Sequence, residues 1–274
     1  MCNFILKRRQ PYLDEQSYSN TLAHFANDRV AYSDYLTMPT ASLRAKVNSL
    51  ESIANDLWAI FLLDFTAGAS PEYLADSLEQ VVLAFEAFAN QALELPDEEY
   101  APPFELDEML DIYVDYLQLL STAVLLHRED LIPRIFGLLE GTDYDGVDAV
   151  IEAMLQFYLP DRPVPDEWLW DKPFDQLIQA IDAQNPQDRA KAMSKYISSW
   201  YAGMKGKAHF WGKHEQIKPE FTPYFGYWAL CSAAFSYLYD IDDSEYRDQM
   251  VYPKDLIEFA RSMPRKVPTK SIEN

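Results

Sequence analysis

The chain has little cysteine and no long apolar run. Its two cysteines, Cys2 and Cys231, lie far apart in 274 residues. Cys231 falls in an apolar stretch, which predicts a buried thiol rather than half of a disulfide bridge. Apolar runs such as Leu57–Phe65 are interrupted by charge and are too short to span a bilayer. These features favour neither a disulfide-framework protein nor a membrane protein.

The pattern of a secretory signal is also missing. The apolar residues at the N-terminus precede Lys7, Arg8 and Arg9, whereas a signal peptide places its basic residues before a longer apolar run. The cytoplasm is therefore the predicted location.

Sequence motifs for nucleotide binding and hydrolysis are missing too. The chain contains no GxGxxG, no GxxxxGK[ST] and no GxSxG. His209 and His214 lie five residues apart, so they would not share a helix face as metal-binding histidines four residues apart do. We expect no cofactor and no metal site.

One acidic turn partly fits a calcium-binding EF-hand loop. Four residues match positions 3, 5, 6 and 12 of that loop: Asp143, Asp145, Gly146 and Glu152. Gly141, at the first ligand position, has no side-chain oxygen, and Asp148 stands at the usually apolar eighth position. The segment is better explained as a turn before a helix N-terminus, where acids interact favourably with the helix dipole.

The negative charge is concentrated in the middle of the chain. Residues 94–185 contain 22 Asp and Glu but only four basic residues, Arg128, Arg134, Arg162 and Lys172, a net charge of −18. A region of one sign attracts oppositely charged partners and repels nucleic acid and anionic membranes. The charge predicts a basic protein partner, with no direct nucleic-acid binding and no membrane binding. A merely solvated acidic face is the alternative.

Helical periodicity predicts an all-α fold, a multi-helix bundle of antiparallel helices. No alternating strand pattern of useful length and no regular repeat is present. Helices are predicted over 18–38, 42–67, 71–95, 106–126, 129–139, 146–158, 174–183, 186–201, 225–239, 242–247 and 253–262.

Proline and acidic residues predict the domain boundaries. Residues 96–105 contain three prolines and a run of acids, which oppose both helix and strand. We expect an N-terminal helical region over 1–95, this linker over 96–105, a C-terminal helical region over 106–265 and a tail over 266–274. The two helical regions packed as one compact globule are the alternative.

A series of motifs between Trp200 and Arg261 resembles the PoNi family, immunity proteins against PoNe-type DNase toxins delivered between bacteria, as by type VI secretion. The residues that mark the resemblance are Tyr224, Gly226, Tyr227, Trp228, Asp243, Arg247, Pro253 and Asp255. Aromatic rings, a glycine and an acid–base pair four residues apart are typical of scaffold. The resemblance implies a non-enzymatic protein whose partner is a basic nuclease toxin.

The acidic middle is the predicted contact surface, because a DNase presents Lys and Arg to phosphates. The candidate contacts are Asp97, Glu98, Glu99, Glu105, Asp107, Glu108, Asp111, Asp115, Asp143, Asp145 and Asp148. Asp107, Asp111 and Asp115 are four residues apart, which predicts one acidic stripe on a helix. Aromatic anchors are candidates at Tyr100, Phe104, Tyr113 and Trp168, with core packing as the alternative.

Three other functions stay open. The chain could be an immunity protein against a toxin of different chemistry, or a helical adaptor or nucleic-acid mimic that binds another basic protein. It could also be a hydrolase that uses a carboxylate pair such as Asp107 and Asp111, since paired carboxylates can raise one pKa for acid–base chemistry. No His, Ser or Cys motif accompanies that pair, so the hydrolase is disfavoured.

Overall fold

The computed structural model describes residues 2–266, and it confirms the predicted all-α class. Within those residues the chain forms eleven α-helices and two short 3-10 helices. The α-helices are α1 Cys2–Lys7, α2 Glu15–Thr37, α3 Leu43–Ala67, α4 Pro71–Ala92, α5 Leu110–Leu125, α6 Ile132–Phe136, α7 Ala149–Leu155, α8 Asp171–Asp182, α9 Pro186–Gly203, α10 Leu230–Leu238 and α11 Lys254–Ser262. Apart from Lys266, the predicted tail lies outside the described residues.

Local sequence signals explain the boundaries of α3 and α4. Ser42 and Ser70 are the N-cap residues, and their hydroxyl oxygens accept backbone N–H groups of the first turns. Gly68 ends α3 in the left-handed region at φ 99°, a conformation that glycine adopts without steric cost. Both helices begin within one residue of the prediction.

The chain divides into two compact units. The first contains the residues up to Pro103 together with Gly212–Gly226, and the second contains Phe104–Trp211 and the residues from Tyr227 onward. The segment Gly212–Gly226 therefore lies in the first unit, although the sequence places it inside the predicted region 106–265. The predicted division into an N-terminal region, a linker and a C-terminal region stays a prediction.

In the first unit, α3 packs against both α2 and α4. The apolar residues of α4 face inward, with Leu74, Leu78 and Val82 fully buried. Hydrogen bonds tie the later segment to these helices: the Thr222 N–H donates to Thr21 Oγ1 at 2.8 Å, and the Thr66 hydroxyl donates to the Phe225 carbonyl at 2.6 Å.

In the second unit, α5 and α10 form the centre. Thirteen of the sixteen residues of α5 are buried, as is every residue of α10. These two helices pack against each other and both contact α11, while α8 packs against α9. Cys231 of α10 is a free, buried thiol, and burial raises its pKa to about 11.

Three predicted helices differ most from the structure, and the predicted helices 129–139 and 146–158 are shorter, at Ile132–Phe136 and Ala149–Leu155. Residues 106–109 precede α5 as a turn, so that helix begins at Leu110. The helix predicted from Phe225 begins at Leu230, because Gly226 has φ 108° and breaks the helical path. Residues 242–247 form turns rather than a helix. The short helix α1 was not predicted.

Candidate functional site

Acidic residues from two segments of the second unit, one before α5 and one after α6, surround a tyrosine. The Tyr144 hydroxyl donates a hydrogen bond of 2.5 Å to Asp107. Burial, that bond and the charges of Asp107, Glu105 and Asp143 raise the pKa of Tyr144. These four residues are called the Tyr144 cluster below. Asp107, Asp143 and the neighbouring Glu108 are exposed, so the cluster presents negative charge to solvent.

Asp111 joins two parts of the second unit. Its carboxylate accepts the backbone N–H of His209 at 2.8 Å and that of Phe210 at 3.1 Å. Asp107 lies in the turn before α5, whereas Asp111 lies in the first turn of the helix. The prediction that Asp107, Asp111 and Asp115 form one stripe on a helix is therefore wrong for Asp107. The Asp111 oxygens are occupied by hydrogen bonds within the fold.

Asp145 and Glu152 form ion pairs with the side chain of Arg162. The Arg162 guanidinium lies 2.6 Å from an Asp145 oxygen and 2.5 Å from a Glu152 oxygen, and it stacks 4.2 Å over the Phe136 ring. The paired carboxylates raise the pKa of Arg162. These two EF-hand matches are thus held by a guanidinium, and the described residues contain no group of three potential metal ligands.

Asp148 is buried, with 1% of its surface exposed. As the N-cap of α7 it accepts the N–H groups of Val150 and Ile151, and a third bond comes from the Leu169 N–H at 2.9 Å. Burial raises the pKa of Asp148, although these hydrogen bonds act to lower it. A buried carboxylate with these partners serves the fold, so it does not fit the predicted contact surface.

The first unit has its own exposed acids. Asp97, Glu98 and Glu99 form a short, exposed 3-10 helix. Glu99 pairs with Arg44 at 3.0 Å, and Arg44 also donates to the Glu99 carbonyl. Asp97 and Glu98 therefore contribute the most available charge of this segment.

The motif residues before α11 belong to a network around one buried carboxylate. Asp243 is 3% exposed; it accepts the Tyr252 hydroxyl at 3.0 Å and pairs with Arg261 at 2.9 Å. Arg247 lies 3.7 Å from the same carboxylate, across a turn rather than along a helix. Asp255 lies in the first turn of α11, where the helix dipole favours an acid.

The remaining motif residues lie around Gly226. Tyr224, Tyr227 and Trp228 are each no more than 3% exposed. The Tyr224 hydroxyl donates to Gln10 inside the first unit, and Tyr227 packs on Tyr201 inside the second. Their burial supports the predicted scaffold role.

Comparison with known proteins agrees with these motifs. Residues 146–256 match a family described as PoNe immunity proteins (PoNi), C-terminal. The predicted PoNi resemblance is confirmed over these residues. The fold is also similar to a solved structure, protein PA2201 from Pseudomonas aeruginosa, with a TM-score of 0.66 at 21% identity, covering 93% of this chain and 91% of that one. No curated protein sequence matches the chain.

The predicted aromatic anchors fall into two groups. Phe104 and Tyr113 are buried and belong to the core of the second unit, which is the alternative that the sequence left open. Tyr100 is 38% exposed in the first unit. Trp168, within the PoNi match, is partly exposed and lines a pocket.

That pocket was not predicted, because its lining comes from five separate places in the sequence. It has a volume of about 500 Å³ and lies entirely within the residues that match PoNi. Its wall includes Ala153 of α7, Ile178 and Asp182 of α8, Arg189 of α9 and, after α10, Tyr239. Chain order alone does not bring these residues together.

None of the helices in the described part of the chain combines the length and apolar content that crossing a bilayer requires.

Proposed function

We propose that the chain is an immunity protein that binds a cognate PoNe-type DNase toxin and inhibits it stoichiometrically, with no chemistry of its own. The match of residues 146–256 to PoNe immunity proteins is the observation that carries this proposal. The chain would act in the cytoplasm, where a nuclease delivered from another cell would reach the chromosome.

The second unit offers an acidic surface for such a partner. The Tyr144 cluster and Glu108 place several carboxylates together, and Asp107, Glu108 and Asp143 are exposed. A DNase binds phosphates through Lys and Arg, so carboxylates can occupy or cover the same groups. Complementary charge also speeds association.

The contact set is accordingly narrower than the sequence suggests. Glu105, Asp107, Glu108 and Asp143 are the proposed contacts of the second unit, and Asp97 and Glu98 are those of the first. Asp111, Asp145 and Asp148 are used within the fold. Glu99 and Asp115 stay predictions, and Glu99 already pairs with Arg44.

The proposal is tested by plasmid cleavage with the purified toxin candidate encoded beside this gene. We expect cleavage to stop at about one equivalent of this chain and to resume when the toxin is in excess. Undiminished cleavage by an active toxin, with the chain folded, would refute DNase inhibition. Protection of living cells from a toxin candidate that cleaves no DNA would instead indicate a toxin of different chemistry.

A further inference from the structure

The pocket described above combines an apolar wall with an acidic rim. Ala153 and Ile178 are buried and provide the wall. Asp166 and Asp182 are exposed and line the opening, and Val164 beside them is 84% exposed. A site of this composition suits a side chain with an apolar stem and a charged end.

The positive charge in the pocket is already engaged. The Arg189 guanidinium donates to the carbonyls of Ala180 at 3.1 Å and Ala183 at 2.8 Å, and it lies 4.7 Å over the Tyr239 ring. It thereby caps the C-terminal carbonyls of α8, as cations do at that end of a helix. By contrast, neither Asp166 nor Asp182 makes an ion pair within residues 2–266.

One hydrogen-bond donor at the pocket lacks an acceptor. The indole nitrogen of Trp168 is buried, and no acceptor for it lies among the described residues. A buried donor without an acceptor is costly, so a ligand carbonyl that this nitrogen reaches after a small turn of the ring gains affinity there. The side chain itself lines the pocket.

We propose that this pocket receives a basic loop of the partner toxin. The loop inserts a Lys or Arg whose stem packs on Ala153 and Ile178 and whose cation lies between Asp166 and Asp182. The Trp168 ring turns as the loop enters, and a backbone carbonyl of the same loop then accepts its indole N–H. The inference rests on the proposed function and adds a second contact, distinct from the Tyr144 cluster.

The test measures the affinity of the full chain for the purified toxin candidate encoded beside it, at 0.3 M salt to screen long-range charge. The variant Asp166→Lys/Asp182→Lys is expected to weaken binding at least about tenfold, as the loss of close charge pairs does. Its matched control, Glu140→Lys/Glu245→Lys, makes the same change in net charge at exposed positions of the second unit. The control is expected to stay within about twofold.

A second variant tests the indole donor. Trp168→Phe keeps a ring in the pocket and removes the N–H, so binding should weaken about two- to tenfold. In the ¹⁵N-labelled chain, the indole resonance that disappears in this variant should move downfield when the toxin binds. This readout does not depend on the folding of the charge-reversed variant.

The outcomes separate the two proposals. If the unmodified chain does not bind the toxin, the proposed function and the pocket assignment both fall. If it binds, and the Asp166/Asp182 and Trp168 variants bind as tightly as the control, only the pocket assignment is overturned. An unmoved indole resonance in the saturated complex has the same meaning.

Discussion

The hydroxyl of Tyr113 on α5 lies 3.1 Å from each carboxylate oxygen of Asp148, the N-cap of α7. Both residues are buried. The contact joins the central helix of the second unit to a helix that lies within the PoNi match. One carboxylate of the acidic segment 94–185 is therefore buried in the second unit.

Loss of this carboxylate should be costly. Asp148→Ala removes the cap of α7 and the acceptor of the Leu169 N–H, and it leaves the Tyr113 hydroxyl buried without that partner. We expect the free energy of unfolding to fall by about 2–4 kcal/mol, measured by urea denaturation. Asp143→Ala, an exposed acid five residues earlier, should change it by less than about 0.5 kcal/mol. If Asp148→Ala lowered the free energy of unfolding as little as Asp143→Ala does, Asp148 would not have the structural role described here.

Arg162 should stabilise the folded chain by neutralising the carboxylate of Glu152. Glu152 is 2% exposed, so Arg162→Met leaves a buried carboxylate without its charge partner and should cost about 3–5 kcal/mol. The double variant Arg162→Met/Glu152→Gln should recover much of that loss, because no buried charge remains. A double variant as unstable as Arg162→Met would contradict this account of the pair.

Asp56 should make stability depend on pH. Burial, and secondarily the charge of Asp28, raise its pKa to about 6, while Arg29 and His24 act in the opposite direction. The folded state therefore holds this proton more tightly than the unfolded state. The stability contribution of Asp56 is greatest below pH 4 and is lost as the pH rises to about 6.

The variant Asp56→Asn should remove that decline. Its unfolding midpoint should exceed that of the unmodified chain at pH 7, with the difference shrinking towards pH 4. Asp76→Asn, at an exposed carboxylate of α4, is the matched control and should leave the pH profile unchanged. An Asp56→Asn profile that parallels the unmodified one would disprove the assignment.

Charge reversal at the Tyr144 cluster and the neighbouring Glu108 should slow association with the toxin. Asp107→Lys/Glu108→Lys/Asp143→Lys changes three exposed acids, and the association rate should fall about tenfold or more at low salt and much less at 0.3 M. Stopped-flow mixing measures both rates. Salt-insensitive association in the unmodified chain would place the contact elsewhere.

The sequence predicts those features that depend on neighbouring residues. Ser42 and Gly68 define α3 because capping and left-handed backbone are local effects. Asp111 could not be assigned in the same way, since its partners, the amides of His209 and Phe210, are nearly a hundred residues away. A count of charges along the sequence does not distinguish exposed acids from buried ones. It therefore predicts Asp148 at the surface, although this residue is buried.

The pocket shows the same limit. Ala153 and Ile178 lie on helices that the periodicity of the sequence predicts. Their distance in sequence from each other and from Tyr239 gives no reason to place the three residues together. The burial of the Trp168 indole nitrogen is equally invisible without coordinates. Family resemblance named the scaffold residues and was silent on this cavity.

The return of Gly212–Gly226 to the first unit constrains the order of events on the ribosome. Helices α1 to α4 emerge early, but Thr21 and Thr66 obtain their partners Thr222 and Phe225 only after more than a hundred further residues are made. Domains generally fold as units during synthesis, and these two hydrogen bonds of the first unit can form only after the later segment has been made. A chain cut after Pro103 would lack both of these partners.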